Sequence, residues 1–167
     1  MAIGVPETEI ARPFRVKRNK VVRAGELERS LTQAIRARSG ATGLLVLLDA
    51  DDDCAALVGP DLVRRGIDAA AVPVCVVLPT IEIEAWVLAA VESLRGVRGI
   101  REDAVSPPDP EAIRDAKGAL TARMGGTRGY VATDDLPALF AGLDIDLAQE
   151  RSPSMAKFVR DVRKLCE

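Results

Sequence analysis

The sequence predicts an α/β fold with a mainly parallel sheet, flanking helices and a helical C-terminal third. Two short apolar runs, LLVLLD at 44–49 and VPVCVVLP at 72–79, are continuous, branched and bounded by turn signals, as strands buried on both faces are. Helical patterns lie before, between and after them, and that alternation favours parallel strands joined by crossover helices. Beyond residue 110 only helical patterns and loops remain. A chain of 167 residues reads as a single domain spanning 1–167. Hydrophobic residues make up 48% but aromatics only 3%, so Val, Leu, Ile and Ala must build the core.

The elements follow in order. Residues 12–23, RPFRVKRNKVVR, read as an extended, basic, partly exposed strand and turn. GELERSLTQAIRARSG reads as a helix, with Leu27, Leu31, Ala34 and Ile35 on one face and Gly40 as its stop. After the strand at 44–49, residues 53–66 read as a helix that Gly59-Pro60 can break in two. The 72–79 run is the second strand, adjacent to the first. EIEAWVLAAVESLR, 82–95, is the strongest helical pattern, apolar on most sides and so buried. SPPDP at 106–110 is a loop, 111–124 a helix with Pro110 near its start, and GGTRGY a loop. Short helices near 134–142 and 144–150 precede a last helix after Ser152-Pro153, in which Phe158, Val162 and Leu165 form a stripe.

The chain contains no histidine. That excludes His-based triads, His-ligated zinc or haem and a histidine pH switch. Cys54, Cys75 and Cys166 have no short spacing, which argues against a redox motif or zinc ribbon, and their odd number fits a reducing cytoplasm. No apolar run approaches the ~20 residues of a membrane span. Catalysis would have to rest on carboxylates, Lys, Arg, Ser, Thr, Tyr or a carboxylate-held metal. The net charge of −2 hides an asymmetry. Residues 1–40 carry nine basic and four acidic side chains, while 41–112 carry five and thirteen. A basic arm beside an acidic centre suits phosphates and divalent cations respectively; a solvated mixed-charge surface is the plainer reading.

The sharpest feature is LLVLLDADDDC, in which a strand runs directly into Asp49, Asp51, Asp52 and Asp53. Ligand sites of open α/β sheets lie at the carboxyl ends of strands. Residues two apart on an extended segment point the same way, so Asp49 and Asp51 are expected to converge on Mg²⁺ or Mn²⁺. The competing reading is that one Asp caps the next helix. Glu82 and Glu84 follow the second strand; one of them reaches the site, or Glu84 merely favours the start of its helix. In the basic segment, Arg15, Lys17, Arg18 and Lys20 either track a phosphate backbone or guard an edge strand. Only Phe14 is interleaved, which weakens base stacking. Trp86 reads as core, and Tyr130 as a loop residue that a site can use.

The run VLLDADDDC, the segment PTIEIEAWVLA, and the later AKGAL, GY and ERSPSMAKFVRDV resemble the short TOPRIM-like proteins described as domain of unknown function 4276. The resemblance covers about residues 12–166. It implies a compact α/β sheet and an Asp-x-Asp pair binding Mg²⁺, here Asp49 and Asp51, with Asp53 as helper and Glu84 as the downstream acid. Lys117, Tyr130 and Ser154 also fall on family-like positions. The family pattern opens with a strand ending in a glutamate, then glycine and a helix. Here MAIGVPETEIA offers Glu7 and Glu9 with no apolar strand before them. Without that strand the sheet is expected to keep an unpaired edge, for a partner or a homodimer to cover.

The resulting expectation is a Mg²⁺-dependent, nuclease-type protein acting on nucleic-acid phosphodiesters. Asp49 and Asp51 hold the ion, Glu84 holds a second ion or orients water, and the basic arm grips the backbone. The resemblance adds a setting in antiphage defence beside an ATPase partner. The alternative is an interaction subunit that kept the fold and lost the chemistry, which the missing first glutamate favours.

Overall fold

The computed structural model describes residues 8–38 and 40–167. Glu7 lies outside them, and Glu9 is exposed. The two apolar runs form β1 (Leu44–Leu47) and β2 (Val74–Val77), a two-stranded parallel sheet with Leu44 opposite Val74 and Leu47 opposite Val77. About 54% of the described residues are helical, so the architecture is mixed α/β around a small sheet.

The expected extended segment at 12–23 does not form a strand. Residues 8–17 carry no regular structure, and a single turn, α1 (Arg18–Val21), follows. The turn is held at both ends: Val21 is buried, and the Arg18 side chain donates to backbone carbonyls beyond β1. Next comes α2 (Glu26–Ala37), which buries Leu27 and Leu31, one helical turn apart. α3 (Ala55–Ala69) runs through Pro60 without a break. Proline removes one N–H bond from a helix. The half beyond it is anchored by Leu62 and by Gly66, where Val74 Cγ1 lies 3.0 Å from the point a Cβ would occupy.

The helix expected over 82–95 is shorter. α4 (Glu84–Ala89) ends at Ala90, whose φ of −130° and ψ of 33° leave the helical region, and a 3₁₀ turn, Val91–Leu94, follows. Ser93 accounts for the break: its N–H and its hydroxyl both bond the Ala90 carbonyl. The 111–124 pattern also divides. Asp109 caps a 3₁₀ turn at Pro110–Ala112, and Asp115 caps α5 (Ala116–Arg123) by accepting from the Gly118 N–H at 2.8 Å. α6 (Ala132–Gly142), α7 (Ile145–Arg151) and α8 (Pro153–Leu165) complete the helical third, with Ser152 capping α8.

The sheet separates two apolar clusters because side chains alternate along a strand. Val76 and Leu78 join Leu27, Leu31 and Leu62 on the α2–α3 side. Cys75 and Val77 join Trp86, Leu88, Leu120, Met155 and Val159 on the other. Each fully buried Leu or Val there is stabilising by about 1.5–3 kcal/mol. The more deeply buried strand is β2, with Cys75, Val76 and Val77 all inside. β1 alternates half-buried and exposed residues, and Leu45 and Leu47 are each 41% exposed. Together the strands place the loops 48–53 and 78–83 side by side at their carboxyl ends.

Candidate functional site

The loops beyond β1 and β2 are tied to each other. Ala50 N–H donates to Pro79 O at 3.0 Å, and Asp51 N–H to Ile81 O at 3.0 Å. Asp51 and Ile81 both adopt left-handed backbone, with φ of 52° and 66°. For a β-branched residue such as Ile81 this is a strained conformation, of the kind that clusters at functional sites.

Asp49 leaves the end of β1 and turns its Oδ1 onto the Ile83 N–H, 2.9 Å away. Burial pushes its carboxyl up to about 6; the Ile83 N–H opposes this, and the charge of Glu84 reinforces it. Glu84 is only 2% exposed. Its Oε1 accepts from the Tyr130 hydroxyl at 3.1 Å, and its Oε2 lies 3.5 Å from Lys117 Nζ with no hydrogen-bond partner among the described residues. Glu82 binds Lys117 through Oε1, while its Oε2 is likewise buried and unbonded. Burial disfavours the Lys117 charge, but Glu82, Glu84 and Asp49 outweigh it and raise the pKa, so the residue is a fixed cation. Tyr130 is driven upward by burial and by the Glu84 charge, so it stays protonated and serves as a donor. Glu82, Glu84, Lys117 and Tyr130 therefore meet in one cluster beside Asp49.

The other aspartates point elsewhere. Arg18 Nε sits 3.0 Å from Asp49 O and 3.1 Å from Asp51 Oδ2; its Nη2 donates to Ala50 O at 2.8 Å and binds Asp53. One guanidinium thus holds two carbonyls and two carboxylates of the acidic loop. Asp49 turns to the cluster, whereas Asp51 and Asp53 turn to Arg18. Asp52, 91% exposed, meets Arg114 at the surface, where an ion pair contributes little. Among the described residues, no three carboxylate or cysteine side chains form a ready-made metal cage. Arg15, Lys17 and Lys20 are exposed, and Phe14 is 48% exposed.

Ser154 is brought to a different network. Its hydroxyl accepts from Trp86 Nε1 at 2.6 Å and donates to Glu111 Oε1 at 2.6 Å. Glu111 also accepts from Ser154 N, Ser152 Oγ and Thr80 Oγ1. This joins α4, α8 and the loop after β2. Glu111 was not singled out from the sequence, where it stands at the start of the helix expected over 111–124. Asp135 was missed too. It is fully buried and gathers Val131 N, Arg98 Nε and Arg128 Nη1 at 2.8–3.0 Å. Burial opposes the Asp135 charge, yet the Val131 N–H and the two arginines outweigh it and depress the pKa. Its only sequence signal was a position in the first turn of α6.

What the fold and site define is a mixed α/β protein with a carboxylate–lysine–tyrosine cluster at the carboxyl ends of two parallel strands. The chain belongs to the family described as Domain of unknown function (DUF4276), which matches residues 5–163. Comparison with curated proteins and with solved structures found no match. Among the described residues, no helix is long and apolar enough to cross a membrane.

Proposed function

We propose that this chain is a divalent-cation-dependent, TOPRIM-like protein of nuclease type that acts on nucleic-acid phosphodiesters. One observation carries the reading: Glu84, 2% exposed, keeps a carboxylate oxygen without a hydrogen-bond partner among the described residues, close enough to Asp49 for their charges to interact. Buried carboxylate oxygens are normally bonded, and an orphan asks for a ligand. The donor set is all hard oxygen, which fits Mg²⁺ or Mn²⁺ held by one or two carboxylates with water completing the shell. Asp49 and Glu84 would hold the ion. When bound, it supplies polarisation of a phosphoryl oxygen and a more acidic water.

The chain's own residues do the rest. Tyr130 orients Glu84 by donating to Oε1. Lys117, charged and 46% exposed, reaches the surface of the cluster and attracts a phosphate oxygen. Arg15 and Lys17 lie exposed on the segment that leads to Arg18, and Lys20 lies exposed on α1; they would grip backbone phosphates in a salt-sensitive way. Arg18 itself is committed to the acidic loop. The resemblance to TOPRIM-like proteins supports an ATPase partner and a role in antiphage defence.

A specific observation favours a second reading, an interaction subunit without chemistry. Arg18 already neutralises Asp51 and Asp53, and Lys117 already answers Glu82 and Glu84. Neither Lys117 nor Tyr130 is poised to accept a proton. The chain alone is therefore expected to bind nucleic acid weakly and cleave it barely. Calorimetry with Mg²⁺ and Mn²⁺ on the wild type, Asp49→Asn and Glu84→Gln tests the site. Saturable binding by the wild type, lost in both variants, supports it; equal heats in all three proteins overturn it. A nuclease assay on single- and double-stranded substrates then separates the two readings, because robust cleavage lost in Asp49→Asn would refute the second.

A further inference from the structure

We infer that the open edge of β1 is a pairing surface for a second copy of this chain, set antiparallel against it. In a parallel ladder, alternate residues turn their N–H and C=O to opposite sides. Leu44 N–H and Leu48 N–H reach the β2 side, at Pro73 O and Val77 O. The N–H and C=O groups of Leu45 and Leu47 therefore point to the other edge, where no described residue bonds them. Edge strands are normally blunted by Lys, Pro, a bulge or a covering element. Among the described residues, Leu44–Leu48 has none of these, and Leu45 and Leu47 are each 41% exposed. The far edge of β2 is treated differently, because Lys157 Nζ donates to Val76 O at 2.9 Å.

Charge selects the occupant. The carboxyl end of β1 gathers Asp49, Asp51, Asp52, Asp53, Glu82 and Glu84, answered by Arg18, Arg114 and Lys117. The amino end is basic on balance, with Glu167 beyond α8 and Asp68 at the end of α3 as its acids. Arg36 and Arg38 close α2 just before β1, and Lys164 stands in the last turn of α8. Its neighbour Leu165 packs on Gly43, with Cδ1 3.0 Å from where a Cβ would stand. An antiparallel pair brings each acidic end to the partner's basic end, whereas a parallel pair would set like against like. The antiparallel arrangement is two-fold and closed. It yields a four-stranded sheet whose outer edges carry Lys157, so assembly stops at the dimer.

The inference does not depend on the chemistry of the site. Sedimentation of the full chain at about 100 μM should give twice 17.8 kDa, falling to the monomer on dilution. Leu45→Lys with Leu47→Lys should be monomeric with unchanged helical circular dichroism. Lys164→Glu should weaken the dimer about tenfold, as loss of roughly 1.4 kcal/mol does, and adding Asp52→Lys should restore it. Hydrogen exchange gives a readout free of variants: the Leu45 and Leu47 amides should be protected in the concentrated protein and exchange at least about tenfold faster when dilute. A wild type that stays monomeric at 100 μM overturns the proposal. So do Leu45 and Leu47 amides that exchange at the same rate at both concentrations, or a charge swap that fails to restore pairing.

Discussion

Tyr130→Phe removes one hydroxyl and leaves the ring in place. The hydroxyl is the hydrogen-bond donor to Glu84 Oε1, and Oε2 has only the Lys117 ammonium at 3.5 Å. After the change, a carboxylate 2% exposed would have no hydrogen bond from any described residue on either oxygen. A hydrogen bond to a charged group contributes about 1.5–3 kcal/mol, and an unsatisfied buried acceptor costs about 1–3 kcal/mol. These describe one loss from two sides, so the net expectation is about 2 kcal/mol. For a chain of this length that is a fall in Tm of about 4–8 °C. Thermal melts of the wild type, Tyr130→Phe, Glu84→Gln and the double variant give the coupling directly. The Tyr130→Phe effect should shrink by at least about half in the Glu84→Gln background, because a neutral amide tolerates the missing donor better. A Tyr130→Phe melt within 1 °C of the wild type, or an undiminished effect in the double variant, would refute the assignment of Tyr130 as the support of Glu84.

Two further outcomes are expected. The Arg65 guanidinium, bonded to Glu28 at 2.7 and 3.0 Å, holds the Glu28 carboxyl at about 2, against burial. Its stabilisation is therefore complete above the ordinary value of 4.5 and is lost as pH falls through about 2; Glu28 is a third exposed, so screening reduces it to about 1–2 kcal/mol. Glu28→Gln should lower stability by that amount at pH 7 and flatten the loss between pH 4.5 and 2 in urea titrations. Ser154→Ala takes the acceptor from Trp86 Nε1 and one donor from Glu111, and should cost about 1–2 kcal/mol. Trp86 is the single tryptophan, so its fluorescence reports the change, and an unaltered emission and denaturation midpoint would dismiss the network as a stabilising element.

Most of the fold was legible because most of it follows local rules. The continuous apolar runs are β1 and β2, parallel and adjacent, and the Leu27–Leu31 stripe is α2. Trp86 is core, as its helix pattern implied. Helix ends were less legible. Ser93, Asp109 and Asp115 each choose between continuing a helix and bonding nearby backbone, and packing settles that choice. In the basic segment, composition suggested an extended strand, but residues 8–17 carry no regular structure and a single helical turn follows. What holds it instead is a long-range bond from Arg18 to a loop more than thirty residues away.

The site divides along the same line. By itself the sequence determined the chemical inventory: no histidine, carboxylates placed after two strands, and a lysine and a tyrosine further on. It determined that Asp49 would stand at a strand's carboxyl end, because strand and loop are contiguous. Only the tertiary structure decided which carboxylates face which cations. Extended spacing predicted that Asp49 and Asp51 would converge, yet the left-handed turn at Asp51 and the reach of Arg18 send them to different partners. Glu84, Lys117 and Tyr130 meet because α4, α5 and the loop before α6 pack together over distances of up to 46 residues. Glu111 and Asp135 look like surface acids in the chain, and they become buried hubs only when donors from remote elements arrive. Alternation and capping act within a few residues, so the sequence reveals them. Desolvation and charge pairing act across space, and the folded chain alone assigns them.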